Sequence, residues 1–266
     1  MKENSYIYSR EFYENRNALT DYSAKVIITQ LSKYLKNVNS VADIGGGIGT
    51  FLRNASEIWG VNSKNLILCD GEYVQLDLLQ VPKDCFAARN LEEGINISSK
   101  VDLAITLEVA EHLSPTRAES FVEELCSLSE VILFSAAAKG QGGEHHVNER
   151  ELSYWEKLFE MRGYRAFDCI RPAIQEDKKI PFWYRQNIVL FVKSNNPLVD
   201  IIQESNDYLP PLSMVSYDMI KDRMIAMDTF GKTIMFRVMY KIYRLCHKRK
   251  MNEQIHYWNE LMAKKQ

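Results

Sequence analysis

The chain has 266 residues, 46% hydrophobic and 26% charged, with a formal net charge of -2. These values fit a soluble globular protein and exclude a disordered, collagen-like or bilayer-spanning class. The length suits one large domain or a domain with an extension, and the charge gives no general argument for nucleic acid.

The first residues, MKENSYIYSR, are polar and lack the apolar core of a signal peptide. Cys69, Cys85, Cys126, Cys169 and Cys246 are scattered, odd in number and form no CxxC pair. A reduced, cytoplasmic protein is expected.

Residues 18–36 carry apolar side chains at helical spacing, with Leu31 and Leu35 four apart. Apolar runs at 39–44, 65–69, 101–107 and 131–138 then read as strands, with helical segments near 49–59, 73–80 and 116–127 between them. Ser114-Pro115 reads as a cap followed by proline in the first turn of a helix. Another helix fits 149–162 and stops at Gly163, and short strands follow near 165–170 and 187–193. The alternation implies a doubly wound α/β fold: a mostly parallel sheet with helices on both faces. The last two strands lie close in sequence, which places an antiparallel strand near one edge. Ligands of such sheets bind beyond the carboxyl ends of the strands. After Asn195-Asn196-Pro197 the pattern becomes helical, which divides the chain into a domain over 1–196 and a helical extension over 197–266.

The most telling stretch is VADIGGGIGTFL, from Val41 to Leu52. A P-loop needs Gly-Lys-Ser/Thr, and here Gly49 is followed by Thr50, Phe51 and Leu52. A dinucleotide loop wants a further glycine, which is absent. A ligand-free tight turn needs fewer than the four glycines at 45, 46, 47 and 49. Asp43 lies in the strand before the loop. Asp70 ends the next strand, where an acid can bind both hydroxyls of a ribose.

These features resemble the class I S-adenosylmethionine-dependent methyltransferases over roughly 40–195. FAARNLEEG at 86–94 looks like their third strand and the turn beside the adenine, with Asn90 where many members have Asp. VDLAITLEVAEHL at 101–113 looks like the fourth strand and its functional end. The resemblance implies a Rossmann-like fold with a mostly parallel seven-stranded sheet, and S-adenosyl-L-methionine as cofactor. It implies cofactor contacts from Asp43, Gly45, Gly46, Gly47, Gly49, Asp70, Asn90, Leu91 and Leu107.

Glu108, Glu111 and His112 follow the fourth strand at spacings that share one face of a helical turn. GGEHHVNE at 142–149 adds His145 and His146 in the loop after the fifth strand. Carboxylates and imidazoles converging at that edge make a divalent metal site or an acid–base site. Many methyltransferases of this class carry Glu-His-Leu here without a metal. Small-RNA 2′-O-methyltransferases and ubiquinone-pathway O-methyltransferases carry a similar Glu-x-x-Glu-His that coordinates magnesium. Glu108, Glu111, His112 and His145 are thus candidate ligands for Mg2+ or Mn2+, and His112, His145 and His146 candidate catalytic groups. Which of His145 and His146 takes part is left open.

IPFWYRQN at 180–187 groups aromatics with a cation before the last strand. Trp183, Tyr184 and Arg185 are either core or a substrate wall in which rings stack on a sugar and Arg185 grips a phosphate. The tail at 232–250 holds seven Lys and Arg and no acid. It reads as a basic helix, with a solvated face, a peripheral membrane contact or an RNA contact as its roles. The chain as a whole reads as an O-methyltransferase acting on a sugar hydroxyl, nucleotide-linked or in a glycan. The rival acceptors are an RNA 2′-hydroxyl and a quinone or natural-product phenol; a catalytically inactive scaffold is the rival from another class.

Overall fold

The computed structural model describes residues 10–231 apart from 206 and 212. Helix α1 (Arg10–Leu31) precedes β1 (Val41–Ile44), α2 (Thr50–Trp59), β2 (Leu66–Asp70), β3 (Phe86–Ala88) and β4 (Leu103–Leu107). Then come α3 (Ala118–Leu128), β5 (Val131–Ser135), α4 (Leu152–Glu160) and β6 (Tyr164–Phe167). The short helices α5 (Arg171–Ile174) and α6 (Phe182–Asn187) lead to β7 (Val189–Lys193), α7 (Leu198–Ser205) and α8 (Tyr217–Gly231).

The strands form one seven-stranded sheet in the order β3-β2-β1-β4-β5-β7-β6. It is mixed, because β7 runs antiparallel to both β5 and β6. The remaining pairs are parallel. The chain steps outward from β1 through β2 to β3, then returns to place β4 on the other side of β1. That reversal opens a crevice at the carboxyl ends of β1 and β4.

Strand alternation builds a core on each face of the sheet. Val41, Leu66, Leu68, Leu103, Ile105, Leu133 and Leu190 pack against α1, α2 and α7. Ala42, Ile44, Ala104, Ile132, Phe134 and Phe191 face the other way, onto Phe121, Val122 and Leu125 of α3 and Trp155 and Phe159 of α4. Burial on both faces explains why these strands read as continuous apolar runs.

Several elements differ from the sequence expectation. Residues 73–80 form two isolated turns, closed by Val74 N–H to Gly71 O and Leu78 N–H to Gln75 O, not a helix. The Gln80 N–H donates to Ile48 O, which ties this stretch to the glycine loop. Ser114 takes the cap position and Pro115 opens the helical run, but the Ser114 hydroxyl donates to Glu92 and makes no capping bond. Residues 182–187 are helical, not a strand entry. The first compact unit runs to Ser216, past the expected boundary at 196, and the second begins at Tyr217. Leu198, Val199 and Ile202 of α7 bury in the first unit's core. The basic tail at 232–250 lies outside the described residues. Among the described residues, no helix is long and apolar enough to cross a membrane.

Candidate functional site

The crevice widens into an open cleft of about 1560 Å³. Its floor is the glycine loop. Gly45, Gly47 and Gly49 have φ of 75°, 56° and 83°, which L side chains rarely adopt. Gly46 is needed for a different reason: a Cβ there would lie 2.4 Å from the Asp43 carboxyl. The chain thus turns out of β1 and into α2 with bare backbone facing the cleft. Gly45, Gly46 and Gly47 line it; Gly49 does not, and instead packs α2 near Leu68 and Val81.

Asp70 terminates β2 beside this loop. Its Oδ1 accepts from Gly71 N–H and the Tyr73 hydroxyl, both at 2.6 Å, and Oδ2 accepts from Gly47 N–H at 2.7 Å. Burial pushes the Asp70 carboxyl up, and these three donors pull it back. Asp43, also on the cleft wall, is buried and its Oδ2 has no partner. Burial, then the Asp70 charge, push its carboxyl up to about 7. Asn90, Leu91 and Leu107 also line the cleft. The Asn90 amide is committed to its own turn, donating to Glu93 and accepting from Glu92 N–H.

Across the cleft, β4 ends in a strained residue. Glu108 has φ of 56°, which costs about 1 kcal/mol for a side chain of this kind. Its N–H donates to Ser135 Oγ at 3.0 Å, and its carboxylate accepts from Gln141 Nε2 at 2.8 Å and Asn187 Nδ2 at 3.1 Å. A single 3-10 turn, Ala110–His112, follows. Glu111 is fully buried within it and neither carboxylate oxygen has a hydrogen-bond partner. Burial, and then the Glu108 charge, push its carboxyl well above the usual carboxylate range. Burial, and then His146, pull the His112 imidazole down to about 4.

The ligand-capable atoms of Glu111, His112 and His146 all lie within 4.8 Å of one another. The two rings meet edge to face with centroids 4.8 Å apart. Donor atoms sharing one divalent ion at about 2.1 Å sit roughly 3–4 Å apart, so a small inward movement completes the set. The residues fit a cation: a buried carboxylate without partners, one imidazole held neutral, and a second histidine beside it. The structure brings in His146, not His145, which is exposed with φ of 57°. Glu108 stands outside this trio, held by its two amides.

Trp183 and Tyr184 line the opposite wall, with Tyr184 edge-on to Phe51 at 5.5 Å. Arg185 does not line the cleft. It is buried, with Nε donating to Ile180 O at 2.8 Å and Nη1 to Gln175 O at 3.2 Å. Of the two readings left open for Arg185, core or phosphate grip, the structure shows the first. Sequence reasoning passed over Gln141, Asn187 as a partner of Glu108, and Glu149. Glu149 was visible as the third residue after His146, but its role depends on loop closure, which sequence does not display.

No protein-family model matches the sequence, and no curated protein matches it. Solved structures do. A Nostoc punctiforme protein assigned as an O-methyltransferase aligns at TM-score 0.50 and 11% identity, over 69% of this chain and 59% of that one. The chain has the class I methyltransferase fold. Magnesium protoporphyrin IX methyltransferase from Synechocystis aligns at TM-score 0.48 and 14% identity, over 70% of this chain and 85% of that one. Human N-acetylserotonin methyltransferase gives TM-score 0.45 and 14% identity, over 65% of this chain and 52% of that one. This chain thus spans little more than half the length of the human and Nostoc proteins.

Proposed function

We propose that the chain is an S-adenosylmethionine-dependent O-methyltransferase that acts on a hydroxyl of a small, uncharged acceptor, with a divalent cation on Glu111, His112 and His146. The observation carrying this reading is the partnerless Glu111 carboxylate with ligand atoms of two imidazoles within 4.8 Å, in the same cleft as the glycine loop and Asp70. Gly45, Gly46, Gly47, Asp43 and Asp70 would hold the methyl donor, and the orphaned Asp43 oxygen fits a group that donates to it. S-adenosylmethionine supplies an electrophilic methyl carbon, and a divalent cation supplies the charge that lowers the pKa of a hydroxyl beside it.

The protein's own groups do the rest. Asp70 orients hydroxyls through the lone pair left on Oδ2. Glu108, fixed by Gln141 and Asn187, offers an aimed acceptor for a hydroxyl proton. His112, unprotonated at neutral pH, offers a lone pair and adds no positive charge that would repel a cation.

The lining charge supports an uncharged acceptor. Among the described residues, Arg89 is the only Lys or Arg on the cleft wall, against Glu72, Glu92, Glu93, Glu108, Glu111 and Glu144. That balance disfavours a phosphorylated acceptor, so a neutral sugar in a glycan or glycoside is the acceptor we put forward, stacked on Trp183 and Tyr184. A nucleotide-linked sugar loses the phosphate grip that Arg185 would have given it.

The test is a calorimetric titration with S-adenosylhomocysteine, first with chelator and then with Mg2+ or Mn2+, followed by labelled-methyl transfer to a panel of acceptors. Micromolar binding and incorporation into neutral glycosides are expected. Incorporation only into RNA or phenols overturns the acceptor, metal-independent turnover overturns the cation, and absent binding under all conditions overturns the enzyme class.

A further inference from the structure

The loop joining β5 to α4 is organised by one carboxylate. Glu149 Oε2 accepts from Gly140 N–H at 2.8 Å. Its Oε1 accepts from Gly142 N–H and lies 3.0 Å from His146 Nδ1. Glu149 therefore closes the loop on itself and holds the imidazole at the same time. The far end of the loop is pinned separately: Val147 N–H and Asn148 N–H both donate to the backbone oxygen of Glu111, at 2.9 and 3.0 Å. The loop and the Glu111 turn thus behave as one piece.

The partner of a ring nitrogen fixes where the proton sits. Two backbone N–H groups already use Glu149 as an acceptor, so the hydrogen between it and His146 belongs on Nδ1. Nε2 is then left with a bare lone pair. Space fixes the ring's position as well. A Cβ on Gly143 would lie 2.3 Å from His146 Nε2, so the loop passes the ring only because residue 143 has no side chain. His146 and Glu149 are mostly buried, with side-chain exposures of 11% and 18%, which limits competition from water.

We infer that Glu149 is the positioning residue of this site: it sets His146 in the Nδ1–H tautomer and holds its ring against the Glu111–His112 group. This rests on the proposed reading of that group as a cation site. Carboxylate–histidine pairs behind a metal commonly supply ligand basicity and orientation, and losing one costs 10- to 100-fold in metal affinity.

The test uses the full chain and two readouts. Nitrogen-15 NMR of histidine-labelled protein, in chelator, reports the His146 tautomer. Calorimetric titration with Mn2+ alone reports affinity. In the parent the Nδ1–H form is expected; in Glu149→Gln it is replaced by the Nε2–H form or a mixture, with Mn2+ affinity down at least tenfold and S-adenosylhomocysteine affinity unchanged. Glu149→Asp, which keeps the charge on a shorter arm, recovers part of the loss. Gly143→Ala, which leaves Glu149 intact, keeps the Nδ1–H form while displacing the ring. An unaltered tautomer in Glu149→Gln with Mn2+ affinity within twofold overturns the inference. A parent that shows the Nδ1–H form and a tautomer change in Glu149→Gln, yet binds no Mn2+, upholds Glu149 as the group that sets the ring and overturns only the cation reading.

Discussion

The carboxylate of Asp70 accepts a hydrogen bond from the N–H of Gly47 at 2.7 Å, so the end of β2 and the floor of the glycine loop are one unit. Removing that carboxylate takes away the proposed donor contact and also leaves the Gly47 N–H without its partner. Asp70→Ala is expected to weaken S-adenosylhomocysteine at least tenfold, about 1.4 kcal/mol, by calorimetry. Affinity within twofold of the parent would remove Asp70 from the donor site.

Glu111 carries a cost in the metal-free protein. A buried carboxylate with both oxygens unpartnered must remain protonated or find a cation. Glu111→Gln removes the ionisable group at nearly constant volume. In chelator its melting temperature is expected to match or exceed the parent's by about 2–4 °C, the shift that roughly 1 kcal/mol gives at this chain length. Adding Mn2+ should raise the parent's melting temperature and leave the variant's unchanged. Equal Mn2+ shifts in both proteins would place the cation elsewhere.

Asp43 gives a pH dependence of definite sign. Its folded carboxyl sits at about 7, against about 3.9 for an unfolded aspartate. Between these values the folded chain binds a proton that the unfolded chain does not. Stability of the ligand-free protein therefore falls as pH rises from about 4 through 7, then levels off. Asp43→Asn lacks this term. Its stability relative to the parent is expected to grow between pH 5 and pH 8, by roughly 2–3 kcal/mol, in denaturant titrations. A pH-independent difference would mean that Asp43 is ionised in the fold at both pH values.

Much of this molecule was legible in the sequence because local pattern and tertiary need agree there. Strands such as Val131–Ser135 bury both faces and advertise it with unbroken apolar runs. Gly45 and Gly47 announce a backbone that only glycine accepts easily. Where polar chemistry over distance decides, the pattern misleads. Val74 and Leu78 are four apart and suggest a helix, yet their stretch packs on Ile48 as turns. Arg185 beside two aromatics can be read as a phosphate grip or as core, and its guanidinium is taken up by the Gln175 and Ile180 carbonyls of the preceding loop. The Glu108, Gln141 and Asn187 network joins three distant segments, and no spacing in the sequence encodes it.

His145 and His146 are adjacent but not equivalent. His146 is mostly buried, pairs with Glu149 and meets His112 edge to face. His145 is exposed and holds the left-handed backbone that turns the chain so that its neighbour points inward. Its contribution is thus a conformation that glycine adopts without strain. His145→Gly is expected to retain turnover within about threefold, with any stability change below about 1 kcal/mol, since relief of backbone strain offsets the added freedom of the unfolded chain. His146→Ala is expected to lose at least 100-fold in kcat, in the range general acid–base or ligand loss produces, while S-adenosylhomocysteine affinity holds. Both are read in the same methyl-transfer assay. A larger loss in His145→Gly than in His146→Ala would reverse the assignment and make the exposed ring the one that reaches the acceptor.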